Sequence, residues 1–243
     1  MPLAFVCEFI DSTIGMGYGT SLTPILLLMG FEPLQIVPAV LLSEFISGVT
    51  AACFHHSLKN ADLRPSSRDG RVAGALAIFS VVGTVLGVAL AIKLSPQIVK
   101  IVIGAIVAGM GVFIFVMRNR KIRFSWSGIS VLGTLASFNK GISGGGYGPL
   151  VMGGQLLSGV GVKNAVGITS LAEGITCFVG VIVYALTASH IDWSLAPWLM
   201  AGAILSVPLA AHTLKRLPER QAKLIVAAAV FFLGCLTLSK GFG

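Results

Sequence analysis

Charge is the scarcest property of this chain. Only 11% of its 243 residues are Asp, Glu, Lys or Arg, against 55% hydrophobic residues and a mean hydropathy of +0.93. A soluble domain carries about 25% charged residues. So few charges cannot cover a water-facing surface, which excludes a soluble globular protein. No soluble domain is expected between the apolar stretches, because no loop there exceeds about 15 residues. Cysteine is equally sparse. Cys7, Cys53, Cys177 and Cys235 all lie in apolar stretches without CxxC spacing. They read as small hydrophobes, not as a disulfide or zinc framework. The opening Met-Pro-Leu-Ala has no basic residue, so no cleaved signal peptide is expected. Adjacent His55 and His56 point to different faces of a helix with no third ligand in sight. No metal and no other cofactor is therefore expected. The net charge of +8 would suggest nucleic acid in a soluble protein. Here the basic residues crowd short loops, as membrane topology requires, and no nucleic-acid partner is expected.

Apolar stretches fill what remains. Eight can be counted, near 3–29, 33–55, 72–92, 98–117, 126–158, 164–188, 195–214 and 221–239. Residues 72–92 carry no charge, long enough to cross a hydrocarbon core of about 30 Å. Gly83-x-x-x-Gly87 within them offers a close-packing face to a neighbouring helix. Trp193 and Trp198 flank Asp192 as interfacial anchors. The class is an all-α polytopic membrane protein of the cell membrane, with the lipid bilayer as its surroundings.

The chain also says one thing twice. Residues 9–44 and 138–173 align without a gap at an offset of 129, and eleven of the 36 pairs are identical. The identities are Phe9/Phe138, Gly15/Gly144, Gly17/Gly146, Tyr18/Tyr147, Gly19/Gly148, Leu27/Leu156, Leu28/Leu157, Gly30/Gly159, Val37/Val166, Leu42/Leu171 and Glu44/Glu173. Each copy has a Gly-x-Gly-Tyr-Gly break inside an apolar stretch, then a lone glutamate about 26 residues later. Interrupted hydrophobic segments at corresponding positions of two halves mark a transporter's binding site. The natural division is a first repeat over 1–120 and a second over 121–243, in a single membrane domain.

The broken segments admit two structures, a kinked spanning helix or a re-entrant hairpin of two half-helices. If all eight segments span, the basic residues outside the membrane split nine to seven between the two sides. If the first and fifth segments are re-entrant, the split is thirteen to three. The positive-inside rule therefore prefers two hairpins and six spanning helices, with loops 57–71, 118–125 and 215–223 on the cytoplasmic side. Each half then has an odd number of crossings, which makes the second half an inverted copy of the first. Eight spanning helices remain the alternative.

The candidate site gathers around the breaks. In either arrangement a helix begins just after the glycines, with unpartnered amides and a positive dipole end. The candidates are Gly15, Gly17, Tyr18, Gly19, Thr20 and Ser21 in the first half and Asn139, Lys140, Ser143, Gly144, Gly146 and Tyr147 in the second. Two such starts near the bilayer midplane suit a small oxyanion. They equally suit simple helix packing. Lys140 has Asp11 as its repeat mate. It could hold the substrate anion, or it could pair with Asp11 or Glu8. Glu44 and Glu173 could carry protons as the coupling ion, or could brace a hairpin backbone. Of the two, Glu44, in the half without Lys140, is the expected proton carrier. Thr169 and Ser170 lie about one turn before Glu173, Ser43 immediately precedes Glu44, and all three could donate hydroxyl bonds.

These residues carry a family resemblance. The boxes Gly15-Met-Gly-Tyr-Gly-Thr-Ser-Leu-Thr-Pro24 and Gly144-Gly-Gly-Tyr-Gly-Pro149, the stretch Val166-Gly-Ile-Thr-Ser-Leu171, and the ending Leu205-Ser-Val-Pro-Leu-Ala with Arg216-Leu-Pro218 are similar to the TauE/SafE family of membrane transporters. The resemblance implies a secondary transporter, not an enzyme. Its expected cargo is a small sulfur-containing anion such as sulfite or an organosulfonate, exported across the plasma membrane. Met16, Tyr18, Asp11 and Lys140 depart from the commoner pattern. Two other readings stay open. One is a passive anion channel. The other is an intramembrane serine protease using Ser143 of Gly141-Ile-Ser143-Gly144, with His190 or His212 as base.

Overall fold

The structure is a computed structural model that describes residues 1–117, 125–188, 191–214 and 231–232. Among these, every regular element is a helix. They are α1 (Pro2–Ile14), α2 (Tyr18–Leu28), α3 (Pro33–Ser57), α4 (Arg68–Lys93), α5 (Pro96–Met117), α6 (Trp126–Ser143), α7 (Tyr147–Leu157), α8 (Val162–Thr187) and α9 (Ala196–Thr213). Among the described residues α3, α4, α8 and α9 are long and apolar enough to cross a membrane. The last apolar stretch, loop 215–223 and His190 lie outside the described residues, as does nearly all of loop 118–125.

Local chemistry sets the helix ends. Pro33 opens α3 behind a capping box in which Glu32 and Gln35 satisfy each other's backbone amides. Ser67 and Ser125 cap α4 and α6 by accepting from Gly70 N and Gly128 N, both at 2.9 Å. Helices α1 and α6 end on Gly15 and Gly144, both left-handed with φ of 78° and 68°. Gly17 and Gly146 then start α2 and α7, also with positive φ. A side chain is disfavoured at all four, which explains two of the repeat's identities, Gly15/Gly144 and Gly17/Gly146.

Direction along the helices decides between hairpin and kink. Ser47 of α3 donates to Glu8 of α1 at 3.0 Å, and His55, two turns further on, bonds the Ser12 carbonyl at 3.2 Å. Helix α1 therefore runs parallel to α3. Tyr18 then meets Ser43, hydroxyl to hydroxyl at 2.7 Å, and the chain returns to Pro33 through α2. So α2 runs back antiparallel to α3, and the first broken segment is a hairpin. The second is one as well, because Gly154 of α7 lies against the Leu132 side chain of α6. These positions are 22 residues apart in the sequence.

The same reasoning shows the inversion. Gly48 of α3 touches Ser170 and Gly174 of α8, Gly180 lies beside Leu41, and Gly167 lies beside His55 and Ala61. Numbers rise along α3 as they fall along α8. These two helices hold equivalent places in the repeat and run antiparallel, so the second half is upside down relative to the first. The packing repeats accordingly, with α1 alongside α9 and α6 alongside α4. On α4, a Cβ at Gly83 would overlap Thr134 and Ser137 of α6, and one at Gly87 would overlap the Phe138 carbonyl. The Gly83-x-x-x-Gly87 face is the close-packing surface it was read as.

Two faces result. One carries the starts of α1, α3 and α9, with Lys93 and Lys100; we call it the Pro33 face. The other carries the starts of α4, α6 and α8, with loop 58–67 and Lys163; we call it the Arg68 face. Trp198 is 64% exposed near the Pro33 face, and Trp193 packs against the core.

The hairpin has a direct check. With the native cysteines replaced by Ser, Leu132→Cys and Gly154→Cys in one chain should form an oxidative cross-link seen as a gel shift. A continuous helix would separate them by about 33 Å. No cross-link in folded protein would return the fifth segment to a spanning helix.

Candidate functional site

The two hairpin tips meet back to back in the middle of the bundle. A Cβ at Gly19 would overlap the Gly144 carbonyl, and one at Gly145 would lie 2.6 Å from Gly19 C and Thr20 N. A Cβ at Gly148 would lie 2.8 Å from the Gly15 carbonyl. Each half's helix start thus rests on the other half's break. Real Cβ atoms do not approach so closely, so tip-to-tip backbone packing alone requires Gly19, Gly145 and Gly148. Tyr18 and Tyr147, fully buried, pin the tips by hydroxyl contacts to Ser43 at 2.7 Å and to Ser80 at 3.3 Å.

Beside the tips lies a buried cluster of charge. Lys140 projects from α6 with no exposed surface, and its Nζ pairs with Glu44 Oε2 from α3 and with Glu173 Oε1 from α8, the latter at 2.7 Å. Glu44 and Glu173 are repeat mates, and each is the twelfth residue of its helix. One ammonium therefore serves symmetry-related carboxylates from both halves. Sequence pairing had offered Asp11 or Glu8 as its partner, and the structure assigns it neither. Repeat mates need not touch. A side chain as long as lysine reaches instead to where α3 and α8 cross, and the carboxylates are there. The expectation that Glu44 stands apart from Lys140 fails for the same reason.

The first break is already occupied by carboxylates. Tyr18 N donates to Asp11 Oδ1 at 3.1 Å and Gly19 N to Glu44 Oε1 at 3.3 Å. The positive end of α2 is neutralised by the chain's own acids. Glu44 is thus a brace for the first hairpin, and its Oε2 also accepts from Cys177 Sγ at 3.8 Å. Glu8 accepts from Ser12 at 2.6 Å and from Ser47 at 3.0 Å. The second break differs in sequence, with Lys140 at the position that Asp11 holds in the first half. Thr23 of α2 is fully buried, and its hydroxyl faces Gly144, 3.1 Å from where a Cβ would lie, with no hydrogen-bond partner.

Other predicted residues fall outside this cluster. Thr169 accepts from Gln155 Nε2 at 2.9 Å and so ties α8 to α7. Ser170 bonds its own helix at the Val166 carbonyl, 3.0 Å away. Thr20 is buried, Ser21 and Asn139 are half-buried, and none of the three bonds Lys140. The Ser143 hydroxyl donates to the Asn139 and Gly145 carbonyls at 2.8 and 3.0 Å and accepts from Gly145 N at 3.0 Å. His212 bonds the Pro208 carbonyl at 2.8 Å. Among the described residues no group of His, Cys, Asp and Glu is disposed to hold a metal. Sequence reasoning missed Thr23, Gln155 and Tyr184, whose hydroxyl donates to the Gly141 carbonyl at 2.9 Å. Gln155 could have been found, since its repeat mate is Leu26 and an amide is unusual in such a stretch. A cavity of about 290 Å³ runs from Glu32 and Leu34 at the Pro33 face to Ile142 and Tyr184 beside the second tip.

Comparison with known proteins shows the family. The family described as Sulfite exporter TauE/SafE matches residues 1–237, and the chain belongs to that family. A relative from Bacillus subtilis (strain 168), named "Probable membrane transporter protein YtnM", is 22% identical over 249 residues, covering 97% of this chain and 80% of its own. No solved structure matches the chain. The protein is a multi-pass membrane transporter by family, and the family is one of transporters rather than enzymes.

Breaking a buried ion pair by removing one partner costs about 3–5 kcal/mol. Lys140→Met should therefore lower the thermal midpoint in detergent clearly. Adding Glu44→Gln and Glu173→Gln to the same chain should recover most of the loss. An unchanged midpoint in Lys140→Met would mean that the cluster contributes nothing to the fold.

Proposed function

We propose that the protein is a secondary transporter moving a small anion, sulfite or an organosulfonate, across the plasma membrane, with protons as the coupling ion. The observation that carries the reading is the asymmetry of the two hairpin starts. The first amides of α2 donate to Asp11 and Glu44, while ahead of α7 the repeat puts Lys140 in the position of Asp11. The anion is held at the second tip, by the first amides of α7, by Lys140, and by the Thr23 hydroxyl. The family's description as a sulfite exporter supports the substrate class.

Charge balance supplies the coupling. With all four carboxyls ionised, Glu8, Asp11, Glu44 and Glu173 against Lys140 leave a formal charge of −3. A monoanion about 4 Å from a carboxylate is repelled by about 4 kcal/mol at an effective dielectric of about 20. An anion that displaces a glutamate from Lys140 therefore binds together with a proton on that glutamate. Glu44 is committed to Gly19, Cys177 and Lys140, so Glu173 is the one that lets go. Anion and proton then move in the same direction, and their combined gradients set the net flux. A passive channel needs no such proton.

Reconstituted protein in liposomes carrying an internal pH dye tests this against sulfite, thiosulfate, sulfate, sulfoacetate and formate. The expected result is flux of sulfite or sulfoacetate with protons moving alongside. Glu173→Gln should flatten the pH dependence of flux while keeping anion binding, because a carboxamide keeps the shape and cannot titrate. Glu44→Gln should chiefly weaken the first hairpin. Flux without proton movement would leave the channel reading, and an unchanged pH profile in Glu173→Gln would move the coupling elsewhere.

A further inference from the structure

Two hydrogen bonds join the halves near opposite faces, and the repeat relates their donors. Gln35 Nε2 donates to Asp192 Oδ2 at 3.0 Å near the Pro33 face. Asn164 Nδ2 donates to Asp69 Oδ2 at 2.6 Å near the Arg68 face. Gln35 and Asn164 are repeat mates, each the third residue of its helix. In both cases the carboxylate belongs to the other half and stands at or just before a later helix, α4 for Asp69 and α9 for Asp192.

Each carboxylate also gathers its own connection. Asp69 Oδ2 accepts from Asp62 N at 3.1 Å, and Asp192 Oδ1 accepts from Ser194 N at 2.9 Å. The Gln35 oxygen accepts from Glu32 N at 3.0 Å, which turns the amide nitrogen toward Asp192. All four side chains are half-buried, so these bonds sit at the rims of the bundle. Each amide precedes its helix's glutamate by nine residues, about 14 Å of helix. The two bonds thus flank the central charge cluster at equal distance, one toward each face.

We propose that these bonds are reciprocal latches, and that Gln35–Asp192 and Asn164–Asp69 decide to which face the central site opens. The proposal rests on the transporter reading above and adds the residues that set its access. In an inverted repeat, alternating access parts the two halves at one face while they stay joined at the other. Opening toward the Pro33 face must separate α3 from the α8–α9 connection, which breaks the first bond. Opening toward the Arg68 face must separate α8 from the α3–α4 connection, which breaks the second. Losing one latch tips the balance toward opening at its own face by the worth of that bond.

Native Cys177 reports on this without any transport assay. It is buried against Glu44 at the centre, so a charged, membrane-impermeant methanethiosulfonate reaches it only when one face opens. In a chain with Cys7, Cys53 and Cys235 changed to Ser, labelling is followed in right-side-out and inverted vesicles. Gln35→Met should raise the rate from the Pro33 side by about tenfold, the factor that one hydrogen bond to a charged group is worth. Asn164→Leu should do the same from the Arg68 side. Asp192→Ala and Asp69→Ala approach each latch from its acceptor and should reproduce the same sides, so either pair decides if the other fails to fold. Rates rising from the same side in both members of a pair, or matching wild type in folded variants, would overturn the latches. Sided labelling without anion flux would instead sink the transporter reading and leave the latches standing.

Discussion

A fully buried ammonium must have negative charge within reach, and in this fold that requirement joins the two halves. Lys140 finds Glu44 on α3 and Glu173 on α8, near the middle of each helix. An unpaired charge at that depth would cost several kcal/mol. The pairing is possible only because Gly48 and Gly174 let α3 and α8 cross closely, and because the second hairpin delivers α6 to the crossing. It in turn fixes the first hairpin, since the carboxylate that meets Lys140 with one oxygen holds the Gly19 amide with the other. A single charge thus coordinates two hairpins and the two central spanning helices.

The repeat made much of this legible. Positive φ at Gly15, Gly17, Gly30, Gly144, Gly146 and Gly159 falls on three mated pairs, so the alignment had picked out backbone constraints as well as chemistry. The hairpins were legible too, though only indirectly. Basic residues divide far more unevenly when the first and fifth segments turn back, and the parallel course of α1 and α3 agrees with that division. The partner of Lys140 was not legible. Alignment relates Lys140 to Asp11 by symmetry, whereas contact depends on distance from the symmetry axis. Glu44 and Glu173 sit where the two halves cross, and Asp11 is drawn instead to the amide of Tyr18. The repeat also could not say which glycines serve close packing and which leave room for a ligand. The overlap at Gly19, Gly145 and Gly148 shows that packing takes the larger share.

A symmetric scaffold here carries an asymmetric site. Both tips have the same left-handed glycines, the same buried tyrosine and the same kind of helix start. Their chemistry is opposite. The first start is neutralised from within by two acids, and at the second a lysine replaces one of those acids while a hydroxyl from the partner hairpin faces the break.

The same cluster bears on the transporter reading proposed above. Lys140 binds one carboxylate from each half, Glu44 on α3 and Glu173 on α8, so neither half holds the ammonium alone. On that reading, interactions that exist at one face at a time bias the equilibrium between open states, and a ligand shifts it by no more than its differential affinity for them.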